Sequence, residues 1–279
     1  MIDGSWVDLT LDAETGIELI RAHFEGHAYD PHWHDSYLVG FTEQGVQQFN
    51  CRKTLHSSVA GQAFLLEPGE IHDGHAPTPG GFTYSMLYLQ PHWLEAQLHE
   101  LFDDVPDNCL PSFTETLPDE PELVKHIAFA FSALHAEELR IIRHAALDGV
   151  LEKLSGRMRW RQRLETNPRL PVVAVRARDY LHAHLDRDVG LDELARAAGV
   201  DRFRLTRAFK ASFGLAPHAY LVQLRLSLAR KRLRQGLMPA SVAVELGFAD
   251  QSHLGRWFRR AYGLSPAAYR KRCTNLPDR

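Results

Sequence analysis

The chain has 279 residues, 44% of them hydrophobic and 24% charged, a globular composition with length enough for two domains with separate cores. No apolar run approaches the roughly 20 residues of a membrane span, Met1–Ser5 has neither region of an export signal, and Cys51, Cys109 and Cys273 form no C-x-x-C pair, so a cytoplasmic protein without membrane contact, disulfide scaffold or thiolate zinc site is expected. The formal charge of −3 conceals a net of +12 over residues 167–279 (21 Lys and Arg against 9 Asp and Glu) and of −15 over residues 1–166 (11 against 26), which points to a polyanion partner for the C-terminal part alone.

Residues 1–118 read as strands and turns. Tyr37–Phe41, Ala63–Leu66 and Phe82–Leu89 are short runs of aliphatic and aromatic residues, punctuated by Gly45, Gly61, Pro68-Gly69 and Pro77–Gly81. Such spacing indicates a sandwich or barrel. Two clusters stand out: His32-Trp33-His34-Asp35-Ser36-Tyr37, and Gly61 to His72, which ends Glu67-Pro68-Gly69-Glu70-Ile71-His72. In a strand His32 and His34 project from one face, and the Pro68-Gly69 turn feeds Glu70 and His72 into the next strand.

Residues 119–160 change period. Leu123, Ile127, Phe131 and Leu134 recur at helical spacing from Glu122 to Ala136, and Leu139, Ile142, Ala146, Val150 and Leu154 do so from Glu138 to Trp160. The pair is predicted to pack on the barrel or on a second subunit. Residues 161–171, polar and basic with Pro168 and Pro171, read as an interdomain linker.

Residues 172–279 read as helical and contain a repeat. Leu205 to Tyr220 recurs 49 positions later as Leu254 to Tyr269, matching Arg207 with Arg256, Phe209 with Phe258, Lys210 with Arg259 and Gly214-Leu215 with Gly263-Leu264. Upstream, Ala195-x-x-x-Gly199 matches Ala243-x-x-x-Gly247. A small residue four positions before a glycine suits the tight turn of a helix-turn-helix. Asp201 and Asp250 then stand where an N-cap opens each second helix. On a helical wheel Leu205 and Phe209 face inward, while Phe203, Thr206, Arg207 and Lys210 face out. In the repeat Leu254, Trp257 and Phe258 face inward, and Ser252, Gly255, Arg256 and Arg259 face out. Each unit therefore presents a helix with an arginine at mid-face, suited to a bidentate contact with guanine in the major groove of double-stranded DNA. Arg202, Gln251 and Ser252 join Arg207, Arg256, Phe203, Thr206, Lys210 and Arg259 as candidate DNA contacts. Between the repeats, Tyr220 to Arg234 reads as a spacer helix whose Arg225, Arg230, Lys231, Arg232 and Arg234 are expected to meet phosphates.

Gly247-Phe248-x-Asp250-Gln251-Ser252-His253-Leu254-x-Arg256-x-Phe258-Arg259-Arg260-x-x-Gly263-x-Ser265-Pro266-x-x-Tyr269-Arg270 closely resembles the signature of the AraC/XylS family of bacterial transcription regulators. It departs mildly at Gly255, and Asp201 stands where serine is more usual. The resemblance implies a bacterial cytoplasmic regulator, an activator that meets RNA polymerase at a promoter; the helix pair at 119–160 is expected to make it a homodimer. The histidine clusters resemble the two motifs of cupin barrels and the effector domain of the same family. The implied fold class is α+β and multidomain: a cupin-like barrel, two helices, and an all-α module with two helix-turn-helix units. In metal-binding cupins a glutamate follows the first histidine pair. Here Val39, Gly40 and Phe41 occupy that region and Glu43 comes late.

Three readings of the barrel stay open. His32, His34, Tyr37, Glu70, His72 and Tyr84 bind a small polar effector; or His32, His34 and His72 hold a divalent transition metal; or the histidines are hydrogen-bonded barrel residues alone. The chain is read as a regulator that responds to a small-molecule effector, with no cofactor of its own. The alternative is a cupin metal sensor or metalloenzyme with a DNA-binding appendage. No catalytic constellation has recognisable spacing, so the chain is not expected to be an enzyme.

Overall fold

The computed structural model describes residues 4–106, 108–162 and 170–274, and the chain divides into two units, residues 1–163 and 164–279. In the first, strands β1 (Trp6–Leu11), β2 (Glu18–Phe24), β3 (His27–His32), β4 (Tyr37–Cys51), β5 (Thr54–Val59), β6 (Ala63–Leu66), β7 (His72–His75) and β8 (Phe82–Leu89) form one antiparallel sheet. Its order is β1-β2-β8-β4-β7-β3, with β5 and β6 also on β4. The 15-residue β4 is the spine. Its first half pairs with β8 and β6 and its second half with β5 and β7, across a register shift between Thr42 and Gln44. Such an irregularity bends a strand and raises its twist, which curls the sheet into a half-barrel.

Helix α1 (Pro91–Leu101), strand β9 (Cys109–Phe113), helices α2 (Pro121–His135) and α3 (Arg140–Ser155) and strand β10 (Met158–Gln162) follow. Both predicted amphipathic helices pack on the outer face of the sheet. Leu123, Ile127, Phe131 and Leu134 of α2 and Ala146, Val150 and Leu154 of α3 join Val39, Leu65, Leu87 and Leu89 in one core. The second helix ends at Ser155 instead of reaching Trp160, because residues 158–162 pair antiparallel with β9, Trp160 opposite Pro111. Arg161 and Gln162, assigned from sequence to a linker, are thus strand residues. Residues 163–169 of that segment lie outside the described residues.

The second unit is helical: α4 (Val172–Ala183), α5 (Leu191–Ala198), α6 (Arg202–Phe213), α7 (Pro217–Arg234), α8 (Pro239–Glu245), α9 (Gln251–Tyr262) and α10 (Pro266–Thr274). Leu181, Leu194, Ala195, Leu205, Phe209 and Leu221 close the first core. Val242, Ala243, Phe248, Leu254, Phe258 and Tyr269 are buried at the repeated positions. Gly199 ends α5 in the left-handed region at φ 76°, and Gly247, just past α8, does so at φ 67°. At Gly247 a side chain is excluded twice over, since a Cβ would stand 2.7 Å from the Asp186 carbonyl carbon and 2.8 Å from Arg225 Nη2.

Helix α7 carries a correction. Of its five basic residues, Arg225 and Arg230 are buried and do not meet phosphate. Arg225 donates from Nε to Leu185 O at 2.8 Å, from Nη1 to Gly247 O at 2.9 Å and from Nη2 to Arg187 O at 2.7 Å. Burial lowers its pKa, and its guanidinium lies 5.7 Å from the Phe248 ring. Arg230 lies over the rings of Tyr262 and Tyr269, at 4.9 and 5.4 Å. Among the described residues no helix is long and apolar enough to cross a membrane.

Candidate functional sites

The interior of the half-barrel is built by alternation. Tyr84, Met86 and Tyr88 of β8 point inward and are buried there with Phe24, Tyr29, Phe49 and Phe64. Against these rings stand His32, His34 and His72, all buried. His32 and His72 are directly opposed in the β3–β7 ladder, and their ring centroids lie 4.6 Å apart. His34 follows β3 and brings its Nε2 to 3.0 Å from His32 Nε2. One ligand atom from each ring lies within 4.8 Å of the other two. His32 Nδ1 is 2.8 Å from Asp30 O, and His72 Nδ1 is 2.9 Å from Glu70 O. Burial drops the His72 pKa to about 4, so the ring is neutral at physiological pH.

The structure brings the three predicted histidines together and separates the other candidates from them. Tyr37 is a correction. On β4 it alternates with Val39 toward the outer face, packs on Phe113 at 5.6 Å and donates its hydroxyl to Pro111 O at 2.7 Å, inside the helix-covered core. It does not line the interior. Glu70 also turns away: its carboxylate accepts from Glu67 N at 2.8 Å and pairs with Arg52. Tyr84 is interior but rests on Phe24, Phe64 and Phe82, joined to the histidines by ring contacts through Phe24 and Tyr29.

Three interior neighbours escaped the sequence reading. Tyr29 stands edge-on to His32 at 5.1 Å, and Tyr88 edge-on to His34 at 5.0 Å. Burial raises the Tyr29 pKa, so its hydroxyl stays protonated. Gln47, on β4, donates from Nε2 to that hydroxyl at 2.8 Å, while its buried Oε1 has no hydrogen-bond partner among the described residues. Buried acceptors are normally satisfied, so this oxygen marks a place for a donor. Only the inward position of Tyr88, two residues from Met86 and four from Tyr84, left a trace in the sequence.

In the second unit each exposed helix is capped as the repeat implies. Asp201 accepts from Phe203 N and Arg204 N, both at 2.9 Å, and the Arg204 N–H chiefly, with that of Phe203, holds its carboxyl below the usual range. Asp250 accepts from His253 N at 2.6 Å. From α6, Arg202, Phe203, Arg207 and Lys210 are exposed, Phe203 to 78%, and Thr206 is half-buried. From α9, Gln251, Ser252, Arg256 and Arg259 are exposed. Gly255 leaves open space beside Arg256. Trp257, expected inside, is half-buried and donates Nε1 to His253 Nε2 at 2.9 Å.

Residues 14–155 match the model of the AraC-like ligand binding domain, and residues 194–272 match a helix-turn-helix domain. An uncharacterized HTH-type transcriptional regulator of Bacillus subtilis, YbfI, is 26% identical over 88% of this chain and 88% of its own. Other relatives match over a shorter stretch. A putative AraC-like transcription regulator of Streptomyces antibioticus is 39% identical over 36% of this chain and 33% of its own, and the regulator MtrA of Neisseria gonorrhoeae 37% over 29% and 27%. Against these two the chain spans only about a third of the relative's length. Among solved structures, ToxT of Vibrio cholerae shares the fold, with a TM-score of 0.53 at 11% identity over 93% of this chain and 99% of that one. The first family match spans half of the chain, and the capped, arginine-bearing repeat falls within the second; the chain belongs to the AraC-like family of transcription regulators, a ligand-binding domain followed by a helix-turn-helix DNA-binding domain.

Proposed function

We propose that this regulator reads DNA sequence through α6 and α9, each laid in a major groove. The observation that carries this is the twin register of Arg207 and Arg256: exposed, one turn and a half into helices capped by Asp201 and Asp250. Arginine matches guanine O6 and N7 bidentately. Phe203 packs on a thymine methyl, Thr206, Gln251 and Ser252 reach base edges, and Arg202, Lys210 and Arg259 hold phosphates. With no side chain at Gly255, α9 reads fewer bases than α6. The testing experiment is selection of random genomic fragments by the purified protein near physiological salt. A discrete site with two contact segments about one helical turn, ~34 Å, apart is expected. No enrichment over bulk DNA, with or without added cell extract, overturns the reading.

The effector site is the interior of the half-barrel at His32, His34 and His72, with Tyr29, Tyr88 and Gln47 beside them. The unpartnered Gln47 Oε1 supports a polar effector that offers an N–H or O–H. Effector binding shifts the protein between populations of different DNA affinity. It acts in the cytoplasm as an activator in contact with RNA polymerase, as a regulator and not a catalyst. It works as a homodimer, for which Leu139 and Ile141, 70% and 76% exposed at the start of α3, are the first residues to substitute.

A further inference from the structure

We propose that Gly255 is the point at which the sugar–phosphate wall of the major groove rests directly on α9, so that the two reading helices enter DNA at different depths. The inference rests on the groove reading of α6 and α9 and states what sets the fit of the second.

A glycine inside a helix needs a reason, because it lowers a folding equilibrium constant roughly fivefold relative to alanine. Among the described residues two helices hold an interior glycine, Gly149 in α3 and Gly255 in α9. At Gly149 the reason is internal: a Cβ there would stand 2.6 Å from His126 Nδ1, on α2. At Gly255 the described residues supply none. Apart from its own helix backbone and its two chain neighbours, a Cβ there would meet no heavy atom of theirs within 4 Å. The backbone asks for no glycine either. Gly255 is the fifth residue of a 12-residue helix, clear of the Asp250 and Gly263 caps and outside the positive-φ region in which glycine is favoured. What the missing side chain makes room for therefore lies outside this fold.

The bare position lies on the side of α9 that meets DNA. Ser252, Gly255 and Arg259 stand at i, i+3 and i+7, one ridge along the helix, and Ser252 and Arg259 are exposed. Arg259 is the phosphate contact of that ridge, one turn beyond Gly255. Arg256, the base-reading residue, is about 100° round the helix from Gly255. A flank set off from the groove floor in this way faces the deoxyribose–phosphate wall.

Dimensions make that flank decisive. The major groove is ~12 Å wide and a helix with its side chains ~10–12 Å across, so a docked helix has almost no slack against the walls. In the repeat Thr206 occupies the place of Gly255, one residue before Arg207 and four before Lys210. There a β-branched side chain holds the wall off α6. On α9 nothing does, so the wall meets backbone and Arg256 reaches further toward the groove floor.

The test compares Gly255→Ala and Gly255→Thr with the wild-type full chain, on the duplex that wild type itself selects from genomic fragments. Threonine is the residue the sister helix carries, so the fold accommodates it. Alanine should raise the urea midpoint, followed by far-UV circular dichroism, yet weaken binding to that duplex roughly 10-fold. Threonine should weaken it further. Hydroxyl-radical footprints should show wild type shielding the deoxyriboses at the α9 segment, with that shielding reduced in Gly255→Thr and the α6 segment unchanged. Variants that bind the selected duplex as tightly as wild type overturn the proposal. So does an alanine variant that unfolds more readily than wild type, since the glycine would then serve the fold. If wild type selects a discrete duplex and the variants match it, this proposal alone is lost; if wild type selects none, the groove reading falls and takes the proposal with it.

Discussion

Arg207 and Arg256 occupy the same place in two copies of one helix, and their surroundings separate a base contact from a surface charge. Each stands one residue from half-buried positions and two from a fully buried core residue, Leu205 or Leu254 on one side and Phe209 or Phe258 on the other. The helix cannot rotate its arginine away without exposing that core. Arg207→Ala is therefore expected to relax selection at one base pair by about 1–3 kcal/mol, read by comparing enriched sites of wild type and variant. A uniform loss over all sequences would instead make it a phosphate contact. The caps act one step earlier. Asp250→Ala removes the acceptor of His253 N and should cost about 1 kcal/mol in urea unfolding. If the variant unfolds with wild-type energetics, solvent rather than the side chain satisfies that helix start.

At the scale of elements, α7 is more than a spacer. Its Arg225 ties the turn between α4 and α5, through Leu185 O and Arg187 O, to the turn of the second repeat, through Gly247 O. A charged donor bonded to carbonyls is worth ~1.5–3 kcal/mol per bond. Arg225→Met, which keeps the stem and deletes the donors, should destabilise the second unit by about 2–4 kcal/mol, followed by unfolding of the full chain with Trp257 as reporter. Lysine should not rescue, since one ammonium cannot hold the planar fork; rescue by lysine would mean the charge alone matters. Sequence pattern gave no warning of this role, because a basic residue on a basic helix looks solvated until its partners, some 40 positions earlier and 22 later, are known. The repeat itself was legible since caps, turn glycines and core spacing are all local. The sheet was less so. Every residue of β8 is buried and the first four of β4 are too, for α2 and α3 cover one face and the aromatic interior the other. Polar-apolar alternation is thus absent where it was needed, and Tyr37 went to the wrong face. Strand β10 was hidden for a related reason: only its pairing with β9, 45 residues upstream, makes Met158–Gln162 extended.

For the molecule as a whole, the division of charge matches the division into units. Residues 164–279, the unit that carries α6 and α9, hold 21 Lys and Arg against 10 Asp and Glu, a net of +11, and residues 1–163 a net of −14. On α6 and α9, Arg202, Arg204, Arg207, Lys210, Arg256, Arg259 and Arg260 are all exposed. Their cost in mutual repulsion is offset when they displace the cations condensed on the DNA phosphates, and the released ions make affinity fall with salt. If the five of these charges not assigned to bases meet phosphates, binding by the full chain should weaken roughly 500-fold between about 50 and 200 mM monovalent salt. Arg259→Ala should lower the logarithmic slope by about one while leaving the preferred sequence unchanged, whereas Arg256→Ala should change the sequence more than the slope. Slopes near zero would mean the exposed basic faces of α6 and α9 do not lie against the duplex, and the groove assignment would fall with them.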